Sequence, residues 1–157
     1  MAIRIKRVEN NFEDWQRLLS LLQTAFEYQH TRINPPSSLN RLTLDNITEK
    51  SESEILLLAY SEQVLVGCVF LRAQPHALYV GKLAVLPNAQ GQGIGKKLLK
   101  FTQKIARQLA YSQLELQVRI ELIENQAAFS AMGFVKSGET SHPGFNRATS
   151  ITMQKNL

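Results

Sequence analysis

Cysteine is almost missing from this chain: Cys68 is the single one in 157 residues. An intrachain disulfide is therefore excluded, and a thiolate metal cluster has no support, so no metal site is expected. Cys68 lies between Gly67 and Val69 in an apolar stretch, the setting of a buried structural thiol rather than a nucleophile. The Met1-Ala2-Ile3-Arg4 start carries no apolar signal region. The longest apolar run, Ile55 to Tyr60, falls far short of the roughly 20 residues that cross a bilayer. No membrane partner and a cytoplasmic location are the expectations. Repeats, low-complexity tracts and linkers are also missing. With 44% hydrophobic residues, the chain fits one domain spanning 1–157.

Basic residues outnumber acidic ones by 18 to 13, a net charge of +5. Such a surplus raises the question of nucleic acid. Much of it falls on Lys96, Lys97, Lys100, Lys104 and Arg107, along one face of a single helical segment. A solvated helix face accounts for that stripe. No aromatic residues interleave with the lysines, which argues against a single-strand stacking platform. Nucleic acid is therefore an unlikely partner.

The residues from Leu83 to Leu99, LAVLPNAQGQGIGKKLL, read as a buried strand, a glycine-rich loop and an amphipathic helix. Glycines at 91, 93 and 95 let the backbone approach a ligand closely. The following helix adds free N–H groups and the positive end of its dipole. Loop and helix end together suit a pyrophosphate. Lys96 and Lys97 oppose that dipole, so an anion held there relieves a local cost. A dinucleotide fingerprint needs G-x-G-x-x-G after the first strand of a βαβ unit; this loop is G-x-G-x-G after the fourth strand. A Walker A loop needs four residues between its glycines and a hydroxyl after the lysine; Lys96 is followed by Lys97.

The remaining pattern is short-period. Ile3 to Val8 alternates apolar and basic residues, as a half-exposed strand does. Trp15, Leu18, Leu19, Leu22 and Phe26 follow helical spacing after a cap at Asn11 or Asp14. Pro35-Pro36-Ser37-Ser38 breaks the pattern, and Leu39 to Glu54 holds a short helix and a loop. Ile55–Tyr60 and Val64–Arg72 form a hairpin, Leu78–Leu86 a fourth strand, and Gly93 to about Ala110 a long helix. Leu114–Val118 is a fifth strand. Asn125 caps a short helix that ends at Gly133, and strands follow from Phe134 and over Ala148–Met153.

Gln90-x-x-Gly93-x-Gly95, the strand Leu83-Ala84-Val85-Leu86-Pro87 before it and the downstream Gly133-Phe134 pair resemble the GNAT superfamily of N-acetyltransferases. The order β-α-α-β-β-β-α-β-α-β-β over nearly the whole chain is similar as well. The resemblance implies an α/β (α+β) fold. Its central sheet is mixed but mostly antiparallel, of six to seven strands flanked by helices, with the fourth and fifth strands splayed. It implies acetyl-CoA as cofactor and direct acetyl transfer to a primary amine. Pantetheine would bond the backbone of Leu83, Ala84 and Val85, with Val85 N–H facing the thioester oxygen. The run Gln90, Gly91, Gln92, Gly93, Ile94, Gly95 and Lys96 would hold the pyrophosphate. Asn125 resembles the asparagine that contacts the cofactor.

One departure matters. The family often places a tyrosine four residues before the Gly-Phe pair, where it can protonate the leaving thiolate. That residue is Phe129, which has no proton to give and is left to pack against the cofactor. Candidate bases are Tyr79 on the fourth strand and His142 in the Ser141–Gly144 loop. His76, before the fourth strand, is a weaker candidate. Glu27, Tyr28 and His30, at the end of the first helix, are candidates for the acceptor side; Glu115 and Gln117 face either the cleft or solvent. The acceptor is a small-molecule or peptide amine. The basic balance disfavours polyamines and histone-like tails. A homodimer through the exposed sheet edges is compatible with the pattern. Two rivals stay open: a non-catalytic acyl-CoA-binding module, favoured by Phe129, and a basic nucleic-acid-binding domain.

Overall fold

The computed structural model describes residues 2–157. Eleven main elements follow one another as β1 (Ile3–Arg7), α1 (Trp15–Phe26), α2 (Leu44–Ser53), β2 (Ile55–Ser61), β3 (Val64–Ala73), β4 (Leu78–Val85), α3 (Ile94–Gln108), β5 (Gln113–Arg119), α4 (Ile123–Ala131), β6 (Val135–Thr140) and β7 (Ser150–Asn156). The strands form one seven-stranded sheet in the order β1-β2-β3-β4-β5-β7-β6. Every neighbouring pair is antiparallel except β4–β5, which is parallel.

Both faces of the sheet are covered, which is why β2 reads as an unbroken apolar run. Its alternate side chains part company. Leu57 and Ala59 join a core beneath α3, with Ile94, Leu98, Leu114 and Phe134. Leu56 and Leu58 join a second core beneath α1 and α2, with Leu18, Leu22, Ile47 and Phe70. The period of two in a strand thus builds two cores from one segment. At Gly67, on β3, an added Cβ would lie 3.0 Å from the Ala84 carbonyl and 3.2 Å from Ile94. That bare position lets the start of α3 settle directly on the sheet.

Helix starts differ in part from the sequence expectation. Asp14 does occupy the cap position of α1, but its side chain makes no capping bond. The segment hardest to read has the best cap: Thr43 and Asn46 form a reciprocal capping box at the start of α2. Asn125 is not the cap of α4. Leu122 takes that position, and Asn125 lies in the first turn, with its amide turned sideways toward Tyr28.

Candidate active site

Strands β4 and β5 meet only at their starts, where Leu78 faces Leu114 and Tyr79 faces Glu115. Beyond these two pairs they diverge, and a cleft opens between them. The register on the other side of β4 decides what faces it. Leu86 N–H donates to Val66 O at 2.9 Å, while Val85 is opposite Gly67 and Ala84 opposite Cys68. Alternation along an antiparallel pair then directs the Ala84 peptide groups toward β3 and those of Val85 into the cleft. This corrects the expectation for Ala84. Its carbonyl is turned to β3, and its side chain is buried in the α1-side core.

Near the wider end, β4 carries a bulge. The pairing slips between Cys68 and Phe70, and Lys82 adopts φ 50°. A bulge re-aims side chains and releases ladder bonds beside a site. Cys68 lies under it, wholly buried, and burial pushes its thiol up to about 12. It is neutral at physiological pH and unsuited to nucleophilic chemistry.

The glycine loop closes the same end. Gly91 and Gly93 have φ 81° and 78°, a left-handed conformation that costs any other L-residue about 1–2 kcal/mol. The first helical bond of α3 runs from Lys97 N–H to Gly93 O, so the N–H groups of Ile94, Gly95 and Lys96 have no partner within the helix. A Cβ on Gly91, Gly93 or Gly95 would meet nothing within 4 Å. Bare backbone therefore borders open space, a shape that fits a phosphate group. The Gln90 side chain donates back to Val85 O at 3.4 Å, joining loop to strand.

A groove of about 530 Å³ runs from this loop along α4. It is lined by Leu83, Val85, Gln90, Gly91, Gly93, Ile94, Gly95, Lys96, Asn125 and Phe129, with Ala128, Ala131 and Met132 beyond them. Ala84 and Gln92 do not line it. Gln92 is exposed in the loop. The lysine face of α3 is solvent-exposed.

The far wall of the groove depends on how α4 ends. Phe134 N–H reaches back to Phe129 O and Gly133 N–H to Ser130 O, both at 3.0 Å. Gly133, at φ 96°, allows the turn. Phe134 is thereby driven into the core, where its ring meets that of Phe129 edge-on at 5.8 Å.

A second cavity, of about 210 Å³, opens on the opposite side of the cleft. It shares Leu83, Asn125 and Phe129 with the first, so the two meet across the sheet. Val80, Lys82, Gln117, Arg119, Phe26 and Gln29 also line it. Lys82, Arg119 and Gln29 escaped sequence reasoning. Only Lys82 had a signal, as a lone cation within an apolar strand. Tyr28 stands at the rim, bonded by Asn125 Nδ2 at 3.0 Å. Glu27 and His30 do not reach this cavity. They line a neighbouring groove between the end of α1 and Leu39, which shares Phe26 and Leu39 with the second cavity.

Neither candidate base is placed as expected. Burial pushes the Tyr79 phenol up, and its oxygen takes a backbone hydrogen bond from Gln117, across the start of the cleft. Such a phenol keeps its proton near neutral pH and ties β4 to β5. The His142 ring is bonded to Thr149 and lies outside the cavity lining. Burial, with Arg119 beside it, moves the imidazole below its ordinary value. His76 is bonded to Glu115, which Gln154 also holds. No group of three or more His, Cys, Asp or Glu among the described residues is arranged to hold a metal ion. No helix among them is long and apolar enough to cross a membrane.

A mixed sheet split between parallel β4 and β5, with a glycine loop on the helix start beside the split, defines the acetyltransferase architecture. The chain belongs to the acetyltransferase (GNAT) family, whose model matches residues 15–134. The PaiA N-acetyltransferase from Thermoplasma acidophilum, solved in complex with coenzyme A, is similar over 100% of both chains, with a TM-score of 0.84 at 17% identity. A GNAT family acetyltransferase from Elizabethkingia anophelis, solved with acetyl-CoA bound, is similar over 99% of this chain and 98% of its own, with a TM-score of 0.72 at 20% identity. At such identities the likeness concerns the fold. Among curated proteins, the mycothiol acetyltransferase of Jonesia denitrificans is 36% identical over 74 residues, 45% of this chain. The match spans only 23% of that protein's length.

Proposed function

We propose that this protein is an acetyl-CoA-dependent N-acetyltransferase that acts on a primary amine by direct transfer. The observation that carries the reading is the juxtaposition of three features: the opened β4–β5 cleft, Val85 peptide groups turned into it, and bare glycine backbone at the start of α3. Bound acetyl-CoA would supply a thioester acyl donor; transfer forms an N–C bond, breaks the C–S bond and moves one proton from the amine to the departing sulfur.

The residues present fit that group. The N–H groups of Ile94, Gly95 and Lys96 would hold the pyrophosphate, as a helix start does. Leu83 and Val85 would align pantetheine along the free edge of β4. Val85 N–H would donate to the carbonyl oxygen as negative charge gathers there. Asn125 and Phe129, common to both cavities, would position the reacting ends. Holding two reactants in line contributes much of the rate, so the lack of a Ser-His-Asp arrangement is no obstacle. No histidine or carboxylate is among the residues lining either cavity, so solvent reaching the open cavity is the simplest acceptor for the amine's surplus proton.

Thiol release from acetyl-CoA against a broad panel of amines, with calorimetric titration of coenzyme A on the same sample, tests the reading. Turnover with an amine is the expected result. Binding without turnover would favour the acyl-CoA-binding module that Phe129 suggests, and failure to bind coenzyme A would overturn the assignment. Phe129→Tyr is expected to raise kcat by about tenfold. That is less than the ~10²- to 10⁴-fold of an evolved general acid, because the ring is held by packing against Phe134. An unchanged kcat would mean that sulfur protonation does not limit the rate.

A further inference from the structure

The second cavity contains an imbalance of charge. Among the described residues lining it, the ionisable side chains are Lys82 and Arg119, and no carboxylate joins them. The carboxylates nearby are engaged elsewhere. Glu54 pairs with Lys50, Glu115 is held by Gln154 and His76, and Glu124 by Arg32. Glu121 accepts the Asn34 N–H at 3.0 Å and has Arg147 at 3.9 Å. Its other oxygen is buried without a partner, but Glu121 does not line the cavity.

The two cations, by contrast, have no direct ion pair; Glu121 acts on Arg119 and Glu54 on Lys82 only at longer range. The Lys82 ammonium makes no hydrogen bond or ion pair with any described residue. Burial disfavours its charged form, and Lys50 and Arg72 add like charge that Glu54 offsets in part. Arg119 donates through Nη2 to Pro36 O at 3.1 Å, whereas Nη1 is buried with no partner. That nitrogen is closed off from the cavity, so the two residues act on a ligand through their charge and through the atoms that line it. An anionic group on a ligand there would offset both charges. A polycation would add to the repulsion instead.

Resting on the acetyl-transfer reading above, we infer that the acceptor is a small amine bearing a carboxylate, of the free amino-acid type, with Arg119 and Lys82 as its carboxylate-recognition residues. The size agrees: about 210 Å³ lies below the ~300–1,000 Å³ of drug-sized ligand pockets.

The test compares thiol release from acetyl-CoA with three pools: free amino acids, the same amino acids as carboxamides, and aliphatic diamines and polyamines. Coenzyme A titration is run in parallel. The acid pool is expected to exceed the amide pool by at least about tenfold in kcat/KM, since a site built for a charged hydrogen bond rejects the analogue that lacks it. Arg119→Gln and, separately, Lys82→Met are expected to bring that acid-to-amide ratio toward one. A loss on both pools with the ratio intact would mean a merely structural role and would overturn the assignment. So would equal rates on acids and amides, a preference for diamines, or no turnover on any pool while coenzyme A still binds. Failure to bind coenzyme A would instead defeat the acetyl-transfer reading on which the inference stands.

Discussion

Gly93→Val is expected to abolish coenzyme A binding. Gly93 caps α3 at φ 78°, a region closed to β-branched residues. Valine would force the loop out of that conformation and put two methyl groups into the space that the bare backbone leaves open. Two charge-assisted hydrogen bonds lost at about 1.5–3 kcal/mol each correspond to at least about a 100-fold weaker Kd. Calorimetric titration reads the loss directly. Gly144→Val is the control, because Gly144 has φ 85° and open space around it, but lies in the loop between β6 and β7. It should cost similar stability and leave coenzyme A affinity unchanged. An affinity for the Gly93 variant within threefold of the parent would show that the loop is not the pyrophosphate site.

Phe134→Ala is expected to give a large loss of stability. Phe134 is 2% exposed within the α3-side core, and deleting a buried phenyl ring costs about 3–5 kcal/mol. That is a large part of the ~5–15 kcal/mol that holds a typical domain folded. Urea unfolding should show a much lower midpoint with little change in slope. Because the ring also supports Phe129 edge-on, whatever folded variant remains should bind coenzyme A more weakly. A loss under about 1 kcal/mol would mean that the core closes over the cavity and that Phe134 does not brace the groove.

The charge surplus has a local meaning. The lysine stripe of α3 is solvated, as its spacing suggested. The consequential cations are Lys82 and Arg119, which composition could not single out. Lys82 hides because a strand's alternation does not reveal a bulge: the slip opposite Cys68 and Phe70 is a property of the β3–β4 pairing. Arg119 hides because a cation ending a strand is ordinary until loops from elsewhere, including Pro36, fold around it.

What the sequence by itself determined is local. Glycines at 91, 93 and 95 announce a backbone that must adopt positive φ or approach a ligand. The Gly133-Phe134 pair announces a helix end turned back into the core. Alternating and 3.6-residue patterns announce the strands and helices, nearly in their observed bounds. These features depend on neighbours in the chain. Only the tertiary structure decided which groups meet: that Ala84 spends its peptide groups on β3 while Val85 faces the cleft, that the half-buried Tyr79 phenol accepts a bond from β5, that Glu27 and His30 fall outside the second cavity, and that Asn125 is turned to Tyr28, 97 residues away. Burial, strand register and pairing across long separations are joint properties of segments far apart, so no short pattern within one of them can carry that information.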